Sequence, residues 1–373
     1  MKQRDVVIDI MRGLAILTIV LWHADSPFSL YLKPFHVGVF FMISGYLAND
    51  KYSQNIKGIG QLFVKRLKSL LVPFILCNAV CFFLNNLFIK LHIYLSPLEL
   101  NGLPQGQYTV RKIYSFKEIL GQGIKIVFDE GAGGLAGATW FLKTLFLVVM
   151  VSSVIHFLVS EVSDKNKRNI IIMIMAFLFL LFGFYLSQKN KMLFIGTVCT
   201  NLILYETGYM IRVYKKGNYS WGGNILTKVI NVFISVVVIY MSRYYGNISY
   251  ANNEYHDPFI LVLSACAGWV LVFNIAMIIR KSSFVTNVMS YVGKNTLPIL
   301  LMHFLAFKFV TLLQIWFYRK SILELSSFPV LQSGGIWWIV YTLTGVIIPL
   351  GINAFYQKCK YYFVNLVKEK RSK

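Results

Sequence analysis

An all-α membrane protein with about ten transmembrane helices is the fold this sequence predicts, and three observations predict it. Of its 373 residues, 57% are hydrophobic and only 14% are charged, and the mean hydropathy of +0.61 is too high for a soluble domain. The apolar residues gather in runs long enough to cross a bilayer, which takes about 20 helical residues each. Lys and Arg concentrate in alternate connections between those runs, as the cytoplasmic loops of a membrane protein require.

The runs fall near 6–24, 34–49, 69–90, 138–160, 169–187, 192–212, 225–242, 258–279, 295–318 and 336–357. The second is short and the third starts indistinctly. The fourth opens on Ala138-Thr139-Trp140-Phe141-Leu142, with its aromatics where an interfacial belt belongs. The sixth carries Glu206 and the ninth His303 and Lys308, all costly inside a bilayer.

With the N-terminus inside, the short outer loops hold only Lys33, Lys189, Lys191, Arg243, Arg319 and Lys320. The inner connections hold the basic clusters at 51–68, 165–168, 212–228 and 280–294 and the tail at 358–373. Both termini are therefore expected in the cytoplasm. The net charge of +22 reads as topology rather than as a nucleic-acid surface, although a basic inner face also attracts anionic headgroups or a polyphosphorylated ligand. Asp5 and Asp9 interrupt the N-terminal basic region and no small-residue cleavage pattern follows, so the first run is expected to be a span rather than a removable signal.

The organisation expected is a single membrane domain over 1–373 with one long outer segment near 91–137. Within that segment, 116–128 mixes Lys and Glu with apolar residues at helical spacing, suggesting an interfacial amphipathic piece, and 129–134 reads as an acidic turn. No internal repeat of the transporter kind is evident. The five cysteines, Cys77, Cys81, Cys199, Cys266 and Cys359, contain no Cys-x-x-Cys pair and support neither a disulfide framework nor a metal site.

The first run carries the strongest chemical signal. Arg12 and His23 are eleven residues apart, so on a helix they share a face to within ~20° and stand ~16 Å apart along the axis. Asp5 and Asp9 lie near the same stripe, and Asp9, three residues from Arg12, is its natural counter-ion. A stripe of acids, guanidinium and imidazole must face protein or water. Gly13 and Ala15 leave room for a close neighbour.

Several segments together resemble the membrane-bound acyltransferase family 3, in particular its branch of fucose 4-O-acetylase-like and capsule or exopolysaccharide O-acetyltransferases. The matching pieces are Asp9-Ile10-Met11-Arg12-Gly13 with His23 at the Arg-x10-His spacing, Phe35-His36 leading into Phe40-Phe41-Met42-Ile43-Ser44-Gly45-Tyr46-Leu47, and Lys65-Arg66-Leu67-Lys68 running on to Pro73-Phe74. Trp140-Phe141-Leu142 and Gly293-Lys294-Asn295-Thr296-Leu297 ending at His303 follow in family order. The family often carries two arginines in the loop where this chain has Arg66 flanked by lysines, and Lys does not replace the bidentate guanidinium.

The resemblance implies about ten helices around a site that moves an acyl group, usually acetyl from cytosolic acetyl-CoA, onto a carbohydrate hydroxyl. A sugar hydroxyl attacking a thioester needs a general base, and imidazole titrates near neutral pH. His23 is the first candidate for that base; His36, near the outer end of the second run, and His303 are the others. Arg12, Arg66, Lys65 and Lys68 are candidates for binding the donor's phosphates, and Asp9, Ser44 and Trp140 for binding the acceptor. Ser44 read as a nucleophile lacks a base at fixed spacing and is better taken as structural. Glu206 and Arg212, six residues apart near the inner boundary, are explained by snorkelling or pairing. The expected protein is a multi-pass enzyme of the bacterial inner membrane, with acetyl-CoA and a glycan or lipid-linked glycan as partners, no metal and no nucleic acid; a homo-oligomer is left open. The rival reading is a transporter or flippase of a lipid-linked glycan, which also wants buried charges and a basic inner face.

Overall fold

The computed structural model describes residues 5–100, 103–104, 106–115, 117–118, 121, 133–189, 192–215 and 225–371, the side chains of 215 and 363–371 excepted. The described residues are mainly helical, with isolated bridges and no strand. Fourteen α-helices are named below in chain order. They are α1 (Val6–His23), α2 (Ser29–Leu32), α3 (His36–Tyr46), α4 (Ile56–Arg66), α5 (Val72–Phe83), α6 (Asn85–Lys90) and α7 (Trp140–Leu158). Then come α8 (Lys165–Gln188), α9 (Leu193–Lys215), α10 (Ile225–Tyr245), α11 (Pro258–Ile279), α12 (Ser283–Lys294), α13 (Thr296–Tyr318) and α14 (Trp337–Arg371).

Among the described residues, eight stretches are long and apolar enough to cross a bilayer: Val6–His23, Ile56–Phe83, Gly134–Leu158, Lys165–Gln188, Ile225–Tyr245, Pro258–Ile279, Thr296–Tyr318 and Trp337–Tyr362. The chain is an all-α, multi-pass membrane protein. Two expected runs behave differently. The run 34–49 yields α3, whose 11 residues reach only ~16 Å at 1.5 Å each, about half of a hydrocarbon core. The run 192–212 yields α9, a 23-residue helix made more polar by buried Thr197, Thr200, Asn201 and Glu206. Of the outer segment, nearly all of 116–128 and 129–132 of the acidic turn lie outside the described residues.

Local chemistry sets the helix ends. The Asn55 side chain accepts from Gly58 N–H at 2.7 Å, Asp164 from Asn166 and Lys167, and Asp257 from Phe259 and Ile260, each satisfying orphan donors of a first turn. Pro258 follows Asp257 in the first turn of α11, where its missing N–H costs nothing. The indistinct start of the third run has a physical cause: the helix begins thirteen residues earlier, at Ile56, and passes through a π-helical turn, Leu67–Leu71, just before Pro73. Pro73 has no N–H for the carbonyl of Ser69, so the ladder widens there.

The chain divides into two compact units, each discontinuous in sequence: Met1–Trp22, Pro27–Cys77 and Thr139–Gly293 form the first, and His23–Ser26, Asn78–Ala138 and Lys294–Lys373 the second. In the first, α3 is buried along nearly its whole length against α9 and α11. Glycines permit this approach, since a Cβ at Gly45 would overlap the Tyr205 carbonyl and one at Gly208 the Met42 carbonyl. The α1–α12 contact is of the same kind, Gly13 meeting the Met289 carbonyl and Gly293 that of Asp9.

In the second unit, α13 packs on α14 and carries buried His303, Lys308, Thr311 and Gln314. Lys308 Nζ donates to the carbonyls of Leu325 (2.9 Å) and Ser327 (2.7 Å). Tyr341 Oη donates to Gln314 Oε1 and accepts from Leu331 N–H, while Gln314 Nε2 donates to the Gln332 carbonyl. The loop between α13 and α14 is thus pinned by side chains that would be costly if unpaired.

Candidate active site

In the second unit the chemistry gathers at the end of the first run. Helix α1 stops at His23 because the chain turns through Asp25, at φ 51°, towards Pro27. Asp25, two residues beyond His23, accepts from Ser333 Oγ at 2.7 Å. The half-buried His23 ring lies 5.2 Å, centroid to centroid, from the His303 ring and 4.5 Å edge-on from Phe304. Phe328, from the pinned loop, packs against Phe304 with its ring tilted and the centroids 4.6 Å apart.

His303 is fully buried. Its Nδ1 lies 2.9 Å from the Ile299 carbonyl, and because a carbonyl only accepts, Nδ1 carries the proton in the neutral ring. Nε2 then holds a lone pair, and among the described residues no group bonds to it. A backbone-oriented imidazole with one unprotonated nitrogen is the state a general base requires.

His36 belongs to the first unit. It is buried at the start of α3, its Nδ1 3.1 Å from the Leu32 carbonyl and 3.0 Å from that of Lys33, with its ring 4.8 Å from Trp22 and edge-on to Tyr250. These contacts hold the ring in place within that unit. Ser44 is half-buried within α3, and Trp140, at the head of α7, meets Phe141 edge-on.

A second group of functional side chains lines a cleft of about 50 Å³ in the first unit. Lys65 and Arg66 of α4, Asp50 and Tyr52 of the preceding 3-10 turn, Ser152, Ser153 and His156 of α7, and Tyr205 and Tyr209 of α9 contribute to it. Arg66 Nε is buried without a partner. Lys65 and Lys51 both lie over the Tyr52 ring, at 5.3 and 4.8 Å; slight burial raises the phenol's pKa, but the two ammonium groups outweigh it and hold the group below its usual range. Lys68 does not line the cleft, lying exposed within the π turn.

Sequence spacing coupled Glu206 with Arg212, and the structure separates them. Arg212 Nη2 donates to Asp50 Oδ1 at 2.6 Å and its guanidinium lies 4.9 Å from the Tyr209 ring centre. Glu206, fully buried, pairs its Oε2 with His156 Nε2 at 2.9 Å, while Oε1 has no partner. His156 was not among the expected site residues; an imidazole inside the apolar fourth run was the available signal. Arg12 does meet Asp9, but loosely, at 3.9 Å, beyond hydrogen-bond range.

A cationic, partly orphaned cleft suits phosphate oxygens, and a buried imidazole with a lone pair suits proton abstraction from a hydroxyl. No curated protein and no solved structure matches the chain. The family model described as an acyltransferase domain, that of acyltransferase family 3, matches residues 5–354, nearly the whole length, and the chain therefore belongs to this family of membrane acyltransferases.

Proposed function

We propose that the protein is an O-acyltransferase that moves an acetyl group from cytosolic acetyl-CoA to a sugar hydroxyl of a bacterial surface polysaccharide or its lipid-linked precursor, in the manner of the fucose 4-O-acetylase-like and capsule branches. The observation that carries the reading is the His23–His303 pair, with the unpartnered Nε2 of His303. His23, half-exposed, meets the acceptor and takes its hydroxyl proton. The oxygen attacks the thioester carbonyl, the C–O bond forms as the C–S bond breaks, and the thiolate leaves and is protonated as free CoA. His303, held by the Ile299 carbonyl, packs against that ring and supplies a second basic nitrogen.

Arg66 and Lys65 receive phosphate oxygens of the donor at the cleft, which is too small for the whole molecule, and Arg12 with its loose Asp9 contact is a further donor group. The test replaces His23 and His303 singly by Ala and measures glycan acetate and membrane abundance separately. Acetylation falls at least about a hundredfold in each, the usual worth of a general base, with abundance retained. Full acetylation by His23→Ala at normal abundance removes that residue from the mechanism.

A further inference from the structure

The groove between α10 and α11 plays no part in the proposed reaction. It encloses about 550 Å³ and is walled by Val232, Phe233 and Val236 of α10 and Phe273, Met277 and Ile278 of α11. Phe233 and Ile278 are each 67% exposed, so the groove opens sideways from spanning helices, towards the hydrocarbon of the bilayer. Its charge lies at one end, and the Asn274 amide within it donates to the Val270 carbonyl of its own helix. α10 begins where the antiparallel α11 finishes, so Lys228, in the first turn of α10, and Lys281, just past the end of α11, stand at the same mouth.

No Asp or Glu lines the groove. The neighbouring Arg280 interacts with Asp5, whereas among the described residues no acid lines the mouth beside Lys228 and Lys281. Two ammonium groups at the head of an apolar channel are complementary to one kind of molecule, a hydrocarbon chain ending in a phosphate. The positive-inside rule accounts for lysines at that membrane face, but not for a pair of them closing one groove.

We propose that this groove is a binding site for an anionic phospholipid, one acyl chain lying between α10 and α11 and the headgroup phosphate held by Lys228 and Lys281. A diacyl lipid fits because the groove is open along its length to the bilayer, so one chain enters while the other stays outside. The proposal is independent of the acyl-transfer reading.

The test uses the full-length protein in neutral detergent, with native mass spectrometry and thermal unfolding against phosphatidylglycerol and phosphatidylcholine of identical chains. Phosphatidylglycerol binds saturably at one equivalent and outcompetes phosphatidylcholine by about thirtyfold, the worth of two lysines at a membrane surface. The preference vanishes in the Lys228→Gln/Lys281→Gln double variant, both positions being exposed and tolerant. Val232→Trp, which fills the channel and keeps the lysines, lowers the affinity for both lipids. Equal binding of the two lipids by the wild type, an unchanged preference in the double variant, or unchanged binding by a folded Val232→Trp each overturns the proposal. Stabilisation by inorganic phosphate alone, or displacement of phosphatidylglycerol by a polyprenyl monophosphate at lower concentration, names a different occupant and overturns it as well.

Discussion

His303 and Glu206 show what single residues disclose in a sequence and what they do not. That His303 is ionisable inside a span is legible; that its Nδ1 is tied to Ile299 and its Nε2 left unbonded depends on backbone placement that no spacing encodes. Glu206 is harder, because its partner His156 is fifty residues away and the near neighbour Arg212 offered a local alternative that the fold declined. The Glu206–His156 pair is buried, and removing one member of such a pair strands the other. His156→Ala is expected to cost about 3–5 kcal/mol, read as a lower unfolding temperature in detergent. Replacing both, His156→Leu with Glu206→Leu, recovers most of that loss. If the double variant is stable yet inactive, the pair also serves the reaction; if the single variant is as stable as wild type, the pairing is wrong.

At the scale of elements, most spans were legible because about 20 apolar residues in a row have few alternatives to a helix. The two that read poorly share a cause, since hydropathy counts composition and neither depends on it. α3 is short yet the most enclosed helix of its unit, and α4 begins in a polar stretch that no apolar window detects. Glycine shows how position decides the sign of one substitution. At Gly45 a Cβ overlaps the Tyr205 carbonyl, whereas at Gly60 nothing lies within 4 Å. Gly45→Ala therefore forces α3 from α9 and is expected to destabilise by about 1–3 kcal/mol. Gly60→Ala gains helix propensity, up to about 1 kcal/mol. Thermal unfolding of the two variants side by side should move in opposite directions, and a shift of the same sign in both refutes the packing argument.

For the whole molecule, ordered motifs from residue 5 to His303 pointed to the family that the match over 5–354 establishes, while neither sequence nor fold names the donor. The separation of roles supplies a test of it. If acetyl-CoA is bound by the native state, it stabilises by RT ln(1 + [L]/Kd), about 2.7 kcal/mol at a hundred times Kd, and purified protein unfolds at a higher temperature in its presence. Arg66→Ala removes a guanidinium from the cationic cleft and should abolish most of that shift, by weakening the contact with the donor's phosphates. His303→Ala removes a base and no phosphate ligand, so it should keep the shift and lose the transfer. A flippase of lipid-linked glycan predicts the reverse of the first result, indifference to acetyl-CoA at any concentration. If the wild type is indifferent, or if His303→Ala loses the shift as completely as Arg66→Ala while remaining folded, the division into a phosphate-binding cleft and a proton-abstracting histidine pair does not describe this protein.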